Sequence, residues 1–79
     1  MAEEQILTLS CRDKPGITAR VTSYLFEKGG NILEAQQFNA QDNGHFFMRV
    51  EFAPGDAGIE AIRTGFEALA SEYGMTWNL

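Results

Sequence analysis

The first 28 residues place a strand-like pattern, a short loop and a helix-like pattern in immediate succession, and this order constrains the fold more than any other feature. Bulky and small side chains alternate over 6–11, as they do in a strand with one buried face. After the loop over 12–16, Ile17, Val21 and Leu25 recur at helical spacing. The chain therefore predicts a strand that turns directly into an amphipathic helix.

The loop over 12–16 carries residues that are typical of a helix start. Asp13 can cap the helix, Pro15 suits its first turn, and Gly16 leaves the backbone amides uncovered. Free N–H groups and the partial positive charge of a helix N-terminus attract anions. Two interpretations stay open here: a site for a small anion or carboxylate, and a well-capped turn.

Strand and helix patterns alternate along the rest of the chain. Gly29-Gly30 ends the first helix and Gly74 ends the second. Turn residues at Asp42-Asn43-Gly44 and Pro54-Gly55-Asp56 separate the other elements. The predicted strands run over 5–11, 31–40, 45–52 and 75–79, and the predicted helices run over 16–28 and between 56 and 74.

Apolar side chains define one buried face on the third strand and one on the second helix. In the strand this face comprises Phe46, Met48, Val50 and Phe52, and the opposite face carries His45, Phe47 and Arg49. The helical stripe comprises Ile59, Ile62, Phe66, Leu69 and Tyr73. In the second strand, Glu34, Gln36 and Gln37 break the alternation, which predicts a bulge or a functional face.

The resulting element order is βαββαβ. With right-handed crossovers it predicts the α+β class: a ferredoxin-like sandwich, with a four-stranded antiparallel sheet and two helices on one face. Residues 1–79 form a single domain in this interpretation. The sheet face without helices must be solvated, paired with a partner or used for binding.

Composition disfavours several classes of partner. A 79-residue chain buries roughly 60–65% of its extended surface, so its hydrophobic core alone gives only marginal stability. Domains of this size are commonly stabilised further by self-association. The single Cys11 cannot form an intrachain disulfide, which favours a reducing, cytoplasmic setting. The net charge of −5 disfavours nucleic acid and anionic membranes, and no apolar run reaches the roughly 20 residues of a membrane span. Arg12, Lys14 and Arg20 form either a local cationic spot or three solvated charges.

Catalytic and metal chemistry has little support in the sequence. One Cys and one His cannot supply a zinc site, and no phosphate-binding glycine motif occurs. Ser10 and Cys11 have only His45 as a base, with no carboxylate to orient it. RNA-recognition modules share the element order, but only Phe47 would present an aromatic ring on the open sheet face. We therefore expect no active site, no metal, no cofactor and no RNA partner.

Two motifs together suggest a family. The pairing of Asp13-Lys14-Pro15-Gly16-Ile17 with Gly29-Gly30-Asn31-Ile32 resembles the ACT domain, a ferredoxin-like regulatory module of amino-acid and one-carbon metabolism. The resemblance spans essentially all 79 residues. More narrowly, the segments 7–11, 19–22, 29–38, 46–52 and 74–77 resemble the N-terminal domain of formyltetrahydrofolate deformylases.

The narrower resemblance implies a regulatory role. Those enzymes hydrolyse 10-formyltetrahydrofolate to formate and tetrahydrofolate, and the formate feeds purine synthesis. Their catalytic Asn, His and Asp belong to a C-terminal formyltransferase-like domain that this sequence lacks. The resemblance therefore implies that these residues do not catalyse the reaction.

The resemblance also implies an effector site. ACT domains that bind amino acids use the first loop and the start of the second strand, often across a dimer interface. By position this implies Asp13, the backbone of Lys14, Pro15, Gly16, Ile17 and Thr18, and Asn31 with Ile32 from the same or a neighbouring subunit. Backbone amides at the helix start would accept a ligand carboxylate. Asp13 would pair with the ligand ammonium or remain an N-cap, and Asn31 can both donate and accept.

Cys11 stands where some relatives place a polar contact residue, which disfavours serine-like recognition. The resemblance implies glycine or methionine as the effector. The leading hypothesis is a cytoplasmic regulatory domain that dimerises through its sheet or helices and contacts the catalytic domain of its parent enzyme. The alternatives are a dimerisation module without ligand and an unrelated ferredoxin-like binding domain. Because the sequence stops directly after its last strand, we expect it to be one domain of a longer protein.

Overall fold

The computed structural model describes residues 4–40, 44–56 and 58–79 and has the predicted βαββαβ order. Its elements are β1 (Gln5–Arg12), α1 (Ile17–Glu27), β2 (Asn31–Ala40), β3 (His45–Ala53), α2 (Gly58–Tyr73) and β4 (Thr76–Asn78). No helix among the described residues is both long and apolar enough to cross a membrane. The predicted ferredoxin-like α+β fold, with a four-stranded antiparallel sheet, is confirmed.

The four strands lie in the order β2-β3-β1-β4. β3 pairs antiparallel with both β1 and β2, so β1 and β2 run in the same direction. β4 adds only three residue pairs to the outer side of β1. The sheet therefore has one short edge, β4, and one long edge, the ten-residue β2.

The core fills the space between one face of the sheet and the two helices, as the apolar patterns predict. β3 buries its four predicted side chains, and β1 adds Leu7, Leu9 and Cys11. The helices add Ile17, Val21, Tyr24, Leu25, Ile62, Phe66, Leu69 and Ala70. Ile59, Tyr73 and Trp77 are partly buried at its margin. Burial of these apolar side chains is the main favourable contribution to folding.

Two glycines permit close contacts inside this architecture. A Cβ on Gly65, within α2, would overlap the hydroxyl group of Tyr24 on α1. A Cβ on Gly55 would overlap the backbone carbonyl of Gly29. The glycine inside α2, which has a cost in helix propensity, thus lets Tyr24 approach and donate a 2.8 Å hydrogen bond to the carbonyl oxygen of Ile62.

The predicted irregularity in β2 is confirmed. The register between β2 and β3 shifts between Ile32 and Glu34, so Leu33 has no partner on β3. Of the predicted turn at Asp42-Asn43-Gly44, the first two residues lie outside the described residues, and Gly44 has a φ of 66°. Several predicted ends differ from the structure by a few residues, most of all at β4, which begins at Thr76 and ends at Asn78.

Candidate functional site

The start of α1 is organised differently from the predicted cap. The N-cap is Gly16, in the left-handed conformation (φ 86°, ψ 2°), and no side chain bonds to the helix start. The prediction that Asp13 caps the helix is wrong, because its Oδ2 accepts a 2.9 Å hydrogen bond from Nδ2 of Asn39 on β2. Pro15 precedes the N-cap and so lies outside the first turn. The backbone N–H of Asp13 donates to the carbonyl oxygen of Gly44.

The amides of the first turn are left uncovered by this arrangement. The first helical hydrogen bond runs from the N–H of Arg20 to the carbonyl oxygen of Gly16, at 2.9 Å. No acidic residue lies in the first turn, and a Cβ added to Gly16 would meet no other atom within 4 Å. A partial positive charge and free N–H groups therefore face an accessible surface, as small-anion binding requires.

Side chains of β2 hold this loop against the end of the sheet. The hydroxyl of Thr18 donates a short hydrogen bond to Oε1 of Gln37, which lies two residues before Asn39. Ile17 is buried in the core, and this packing fixes the first turn of α1 to the rest of the domain. Sequence reasoning did not assign Gln37 and Asn39 to the site. The polar residues that interrupt the alternation of β2 include Gln37, and this interruption was the sequence feature that could have indicated its role.

Asn31 and Ile32 lie far from the loop within one chain. Both stand at the beginning of β2, whereas Asn39, which contacts Asp13, stands near its end. Eight residues of extended strand separate Asn31 from Asn39, or about 26 Å. The structure therefore brings together the predicted residues from Asp13 to Thr18 and leaves Asn31 and Ile32 at the opposite end of the sheet.

Two cations of the predicted cationic spot are directed towards α2. The Nζ atom of Lys14 lies 5.8 Å from the ring centroid of Tyr73, near the end of that helix. Arg20 approaches Glu72 at 4.0 Å, with both side chains largely exposed. Such an exposed pair contributes little stability. Both side chains therefore contact α2 in this structure.

Cys11 is a small buried side chain. Its side chain is 3% exposed and belongs to the core. Burial raises the pKa of the thiol above its ordinary value, the negative charge of Asp13 raises it further, and Lys14 lowers it in part. The thiol is thus protonated at neutral pH and unreactive. Among the described residues, no group of three or more His, Cys, Asp or Glu side chains could hold a metal ion.

The sheet face opposite the helices carries a second feature, which we call the open face: the outward-facing residues of the four strands, centred on Thr8, Phe47 and Arg49. A groove of about 570 Å³ crosses it, between Phe38 and Gln36 of β2 on one side and Thr8 of β1 on the other. Phe38 is 66% exposed and Phe47 is 44% exposed. Sequence reasoning placed Phe47 on this face and missed Phe38.

Comparison with known proteins gives consistent matches over nearly the whole chain. A family model described as "ACT domain" matches residues 5–63. A formyltetrahydrofolate deformylase of Bacillus subtilis is 40% identical over 78 residues, which cover 92% of this chain and 25% of that protein. The crystal structure of a formyltetrahydrofolate deformylase from Pseudomonas putida superposes with a TM-score of 0.87 at 34% identity, over 96% of this chain and 28% of that one.

A shorter relative matches along most of its own length. A UPF0237 protein of Methanococcus maripaludis is 30% identical over 77 residues, which cover 98% of this chain and 86% of that protein. The chain thus spans about a quarter of the length of the deformylases that it matches, but most of the length of this relative.

Proposed function

Because this chain belongs to the ACT domain family, whose members are regulatory modules, we propose that it senses a small amino acid and couples its binding to self-association. One observation supports this function above the others. The amides at the start of α1 are uncovered, and Asn31, the residue that would complete an effector site, lies at the far end of β2, an edge strand whose outer side pairs with no strand of the described residues. A second copy of the chain can remove that separation.

The edge of β2 is suited to pair with the same edge of a second copy. β2 has ten residues, and beyond it no further strand joins the sheet of the described residues. Its outer N–H and C=O groups are therefore available for antiparallel pairing. A two-fold axis through the middle of the strand sets Asn31 of the partner subunit beside Ala40, next to Asn39 and the loop that Asn39 holds.

The chemistry of such a composite site matches an α-amino acid. The amides of Ile17 and Thr18 would bind its carboxylate at the helix N-terminus. Asp13 would accept a hydrogen bond from its ammonium group, and Asn31 of the partner subunit would bridge the two groups through its amide. Glycine and methionine are the candidates that the resemblance implies, and the surface beside Gly16 is open, since a Cβ added there would meet no other atom within 4 Å.

Ligand binding would shift the monomer–dimer equilibrium only by the difference between the ligand's affinity for the dimer and its affinity for the monomer. An effector that needs residues of both subunits binds the dimer alone, so its binding must shift the equilibrium towards the dimer. In a longer protein of the deformylase type, this shift would be transmitted to a catalytic domain that hydrolyses 10-formyltetrahydrofolate in the cytoplasm. Reading the gene beyond the codon for Leu79 tests that last step, and a formyltransferase-like sequence is the expected result.

Isothermal titration calorimetry with glycine and with methionine tests the effector site. Wild type should bind one of them with a measurable heat at millimolar concentration, and Asn31→Ala should weaken binding at least tenfold. Asn78→Ala is the matched control, because Asn78 is exposed on β4 and distant from the loop. Light scattering on the same samples should show more dimer when the effector is present.

A purely structural dimerisation module is the second candidate. Its support is that the loop already satisfies its polar side chains, since Asp13 bonds to Asn39 and Thr18 bonds to Gln37 without any ligand. A stable dimer by light scattering, with no heat from either amino acid at millimolar concentration, would favour this function and contradict sensing.

A further inference from the structure

The groove on the open face brings aromatic, cationic and neutral polar side chains around one volume of about 570 Å³. The outward-facing side chains that line it are Thr8, Gln36, Phe38, Phe47 and Arg49. The proposed effector site at the start of α1 uses none of them. Ligand pockets usually have volumes of about 300–1,000 Å³ and combine apolar walls with a few polar groups, and this groove has both properties.

Two phenylalanine rings form the apolar part of the groove. Phe38 on β2 and Phe47 on β3 are directly paired across the strands, and their ring centroids lie 6.4 Å apart at an interplanar angle of 40°. Because Phe38 is 66% exposed and Phe47 is 44% exposed, much of each ring faces solvent. Contiguous exposed apolar surface of this kind is typical of binding sites. A planar aromatic ring would cover both phenylalanines in the offset or tilted geometries that aromatic groups prefer.

Arg49 gives the groove a positive charge. Glu51 follows two residues later on the same face of β3, and the two side chains attract each other. The hydrogen bond with Glu4, then burial, then the charge of Glu4 raise the pKa of Glu51, and Arg49 lowers it by the smallest of the four contributions. A guanidinium has five N–H donors in a planar fork, so Arg49 can bind a carboxylate in the groove while it remains beside Glu51.

Neutral polar groups and the surrounding charges restrict the ligand further. The hydroxyl of Thr8 can donate or accept, and Gln36, whose Nε2 donates to Oε2 of Glu34 at 3.1 Å, retains its amide oxygen as an acceptor. Glu34 and Glu51 are paired across β2 and β3 next to Arg49, and the whole chain has a net charge of −5. These charges repel a ligand with several negative groups, whereas a single carboxylate can lie beside Arg49.

We propose that the groove is a binding site for a planar aromatic monocarboxylate of one or two fused rings. The ring lies over Phe38 and Phe47, and the carboxylate accepts hydrogen bonds from the guanidinium of Arg49, which complements its charge. This site is separate from the proposed amino-acid site, which uses the loop over 13–18. Because the groove is open to solvent, we expect weak binding, with a Kd of about 0.1–1 mM for such a ligand.

Three probes of similar shape and different charge test the proposal on the wild-type chain. At pH 7, 2-naphthoate is anionic, 2-naphthamide is neutral and 2-naphthylmethylamine is cationic. In two-dimensional NMR titrations, 2-naphthoate should shift the amide resonances of Thr8, Phe47 and Arg49 more than those of α2. It should bind at least fivefold more tightly than the amide and at least tenfold more tightly than the amine. Equal affinities of the three probes, no binding of 2-naphthoate at millimolar concentration, or shifts confined to residues 16–18 would overturn the proposal.

Substitutions with matched controls test the two parts of the site. Arg49→Gln removes the charge and should weaken 2-naphthoate at least fivefold while leaving 2-naphthamide unchanged, and Phe38→Ala should weaken both. Arg20→Gln and Phe26→Ala are the same substitutions at exposed positions of α1 and should change neither affinity. Binding that the two groove variants do not weaken, or that the controls weaken equally, would contradict the assignment. Because the probe comparison uses wild type alone, it remains decisive if a variant folds poorly.

Discussion

Replacing Gly65 by alanine separates helix propensity from tertiary packing in this domain. Gly65 lies in the interior of α2, where alanine would ordinarily stabilise a helix by about 1 kcal/mol. Here the added Cβ would overlap the hydroxyl of Tyr24, which donates to the carbonyl oxygen of Ile62. The Tyr24 ring is buried and packs against Phe66, with centroids 5.8 Å apart. It therefore cannot move aside without opening the core.

The balance of these effects gives a sign opposite to that expected from propensity. Displacing the Tyr24 ring forfeits a hydrogen bond, at about 1 kcal/mol, and overpacking costs about 1–3 kcal/mol. After the helix gain is subtracted, Gly65→Ala should lower the free energy of unfolding by about 1–3 kcal/mol. Tyr24→Phe removes the overlapping oxygen and leaves a ring carbon 3.3 Å from the added Cβ. In that background Gly65→Ala should be nearly neutral or stabilising.

Urea unfolding of wild type, both single variants and the double variant measures this coupling as a double-mutant cycle. The fluorescence of Trp77 reports unfolding, because its ring packs against Phe66 with centroids 4.9 Å apart. Ala68→Gly, at an exposed position of α2, is the control for helix propensity and should show no coupling to Tyr24→Phe. The packing argument fails if Gly65→Ala stabilises wild type by about what Ala68→Gly costs.

Three other substitutions test further parts of the structure. Gly55→Ala should lower the melting temperature measured by circular dichroism, since its Cβ would overlap the backbone of Gly29; an unchanged value would show that the two loops separate freely. Asn39→Ala removes the hydrogen bond to Asp13, so amide exchange should accelerate over 13–18 but not in α2, and uniform acceleration would contradict this role. Glu51→Gln should raise the melting temperature at pH 7 and lose this advantage below about pH 4. The reason is that the hydrogen bond with Glu4 raises the pKa of Glu51 in the folded state, so its ionisation opposes folding as the pH rises; an equal gain at both pH values would refute the argument.

Local periodicity was sufficient to predict the buried faces and insufficient to predict the open one. The alternation of β3 and the helical stripe of α2 identified their buried side chains, because burial follows the two-residue and 3.6-residue periods directly. In β2, plain alternation from Ile32 would direct Phe38 towards the helices. The bulge at Leu33 shifts the pattern by one residue, so Phe38 pairs with Phe47 on the open face instead.

The fate of Asp13 shows a second limit of local reasoning. Its position before the helix is typical of an N-cap, yet its carboxylate bonds to Asn39, 26 residues along the chain. The amides of the helix start and the side-chain amide of Asn39 are alternative donors to the Asp13 carboxylate. The register of β2 against β3 places Asn39 beside it. Nothing within the loop indicates that register.

The element order, the core-forming faces and membership of the ACT domain family follow from the amino-acid sequence, because each depends on residues close together in the chain. The tertiary structure alone decided how the candidate site is assembled. Pairing of both β1 and β2 with β3 makes them run in the same direction, which leaves the Asp13–Thr18 loop and Asn31 at opposite ends of the sheet. Under the proposed function, the helix start with its uncovered amides would therefore be one half of an effector site, and Asn31 of the partner subunit would supply the other half.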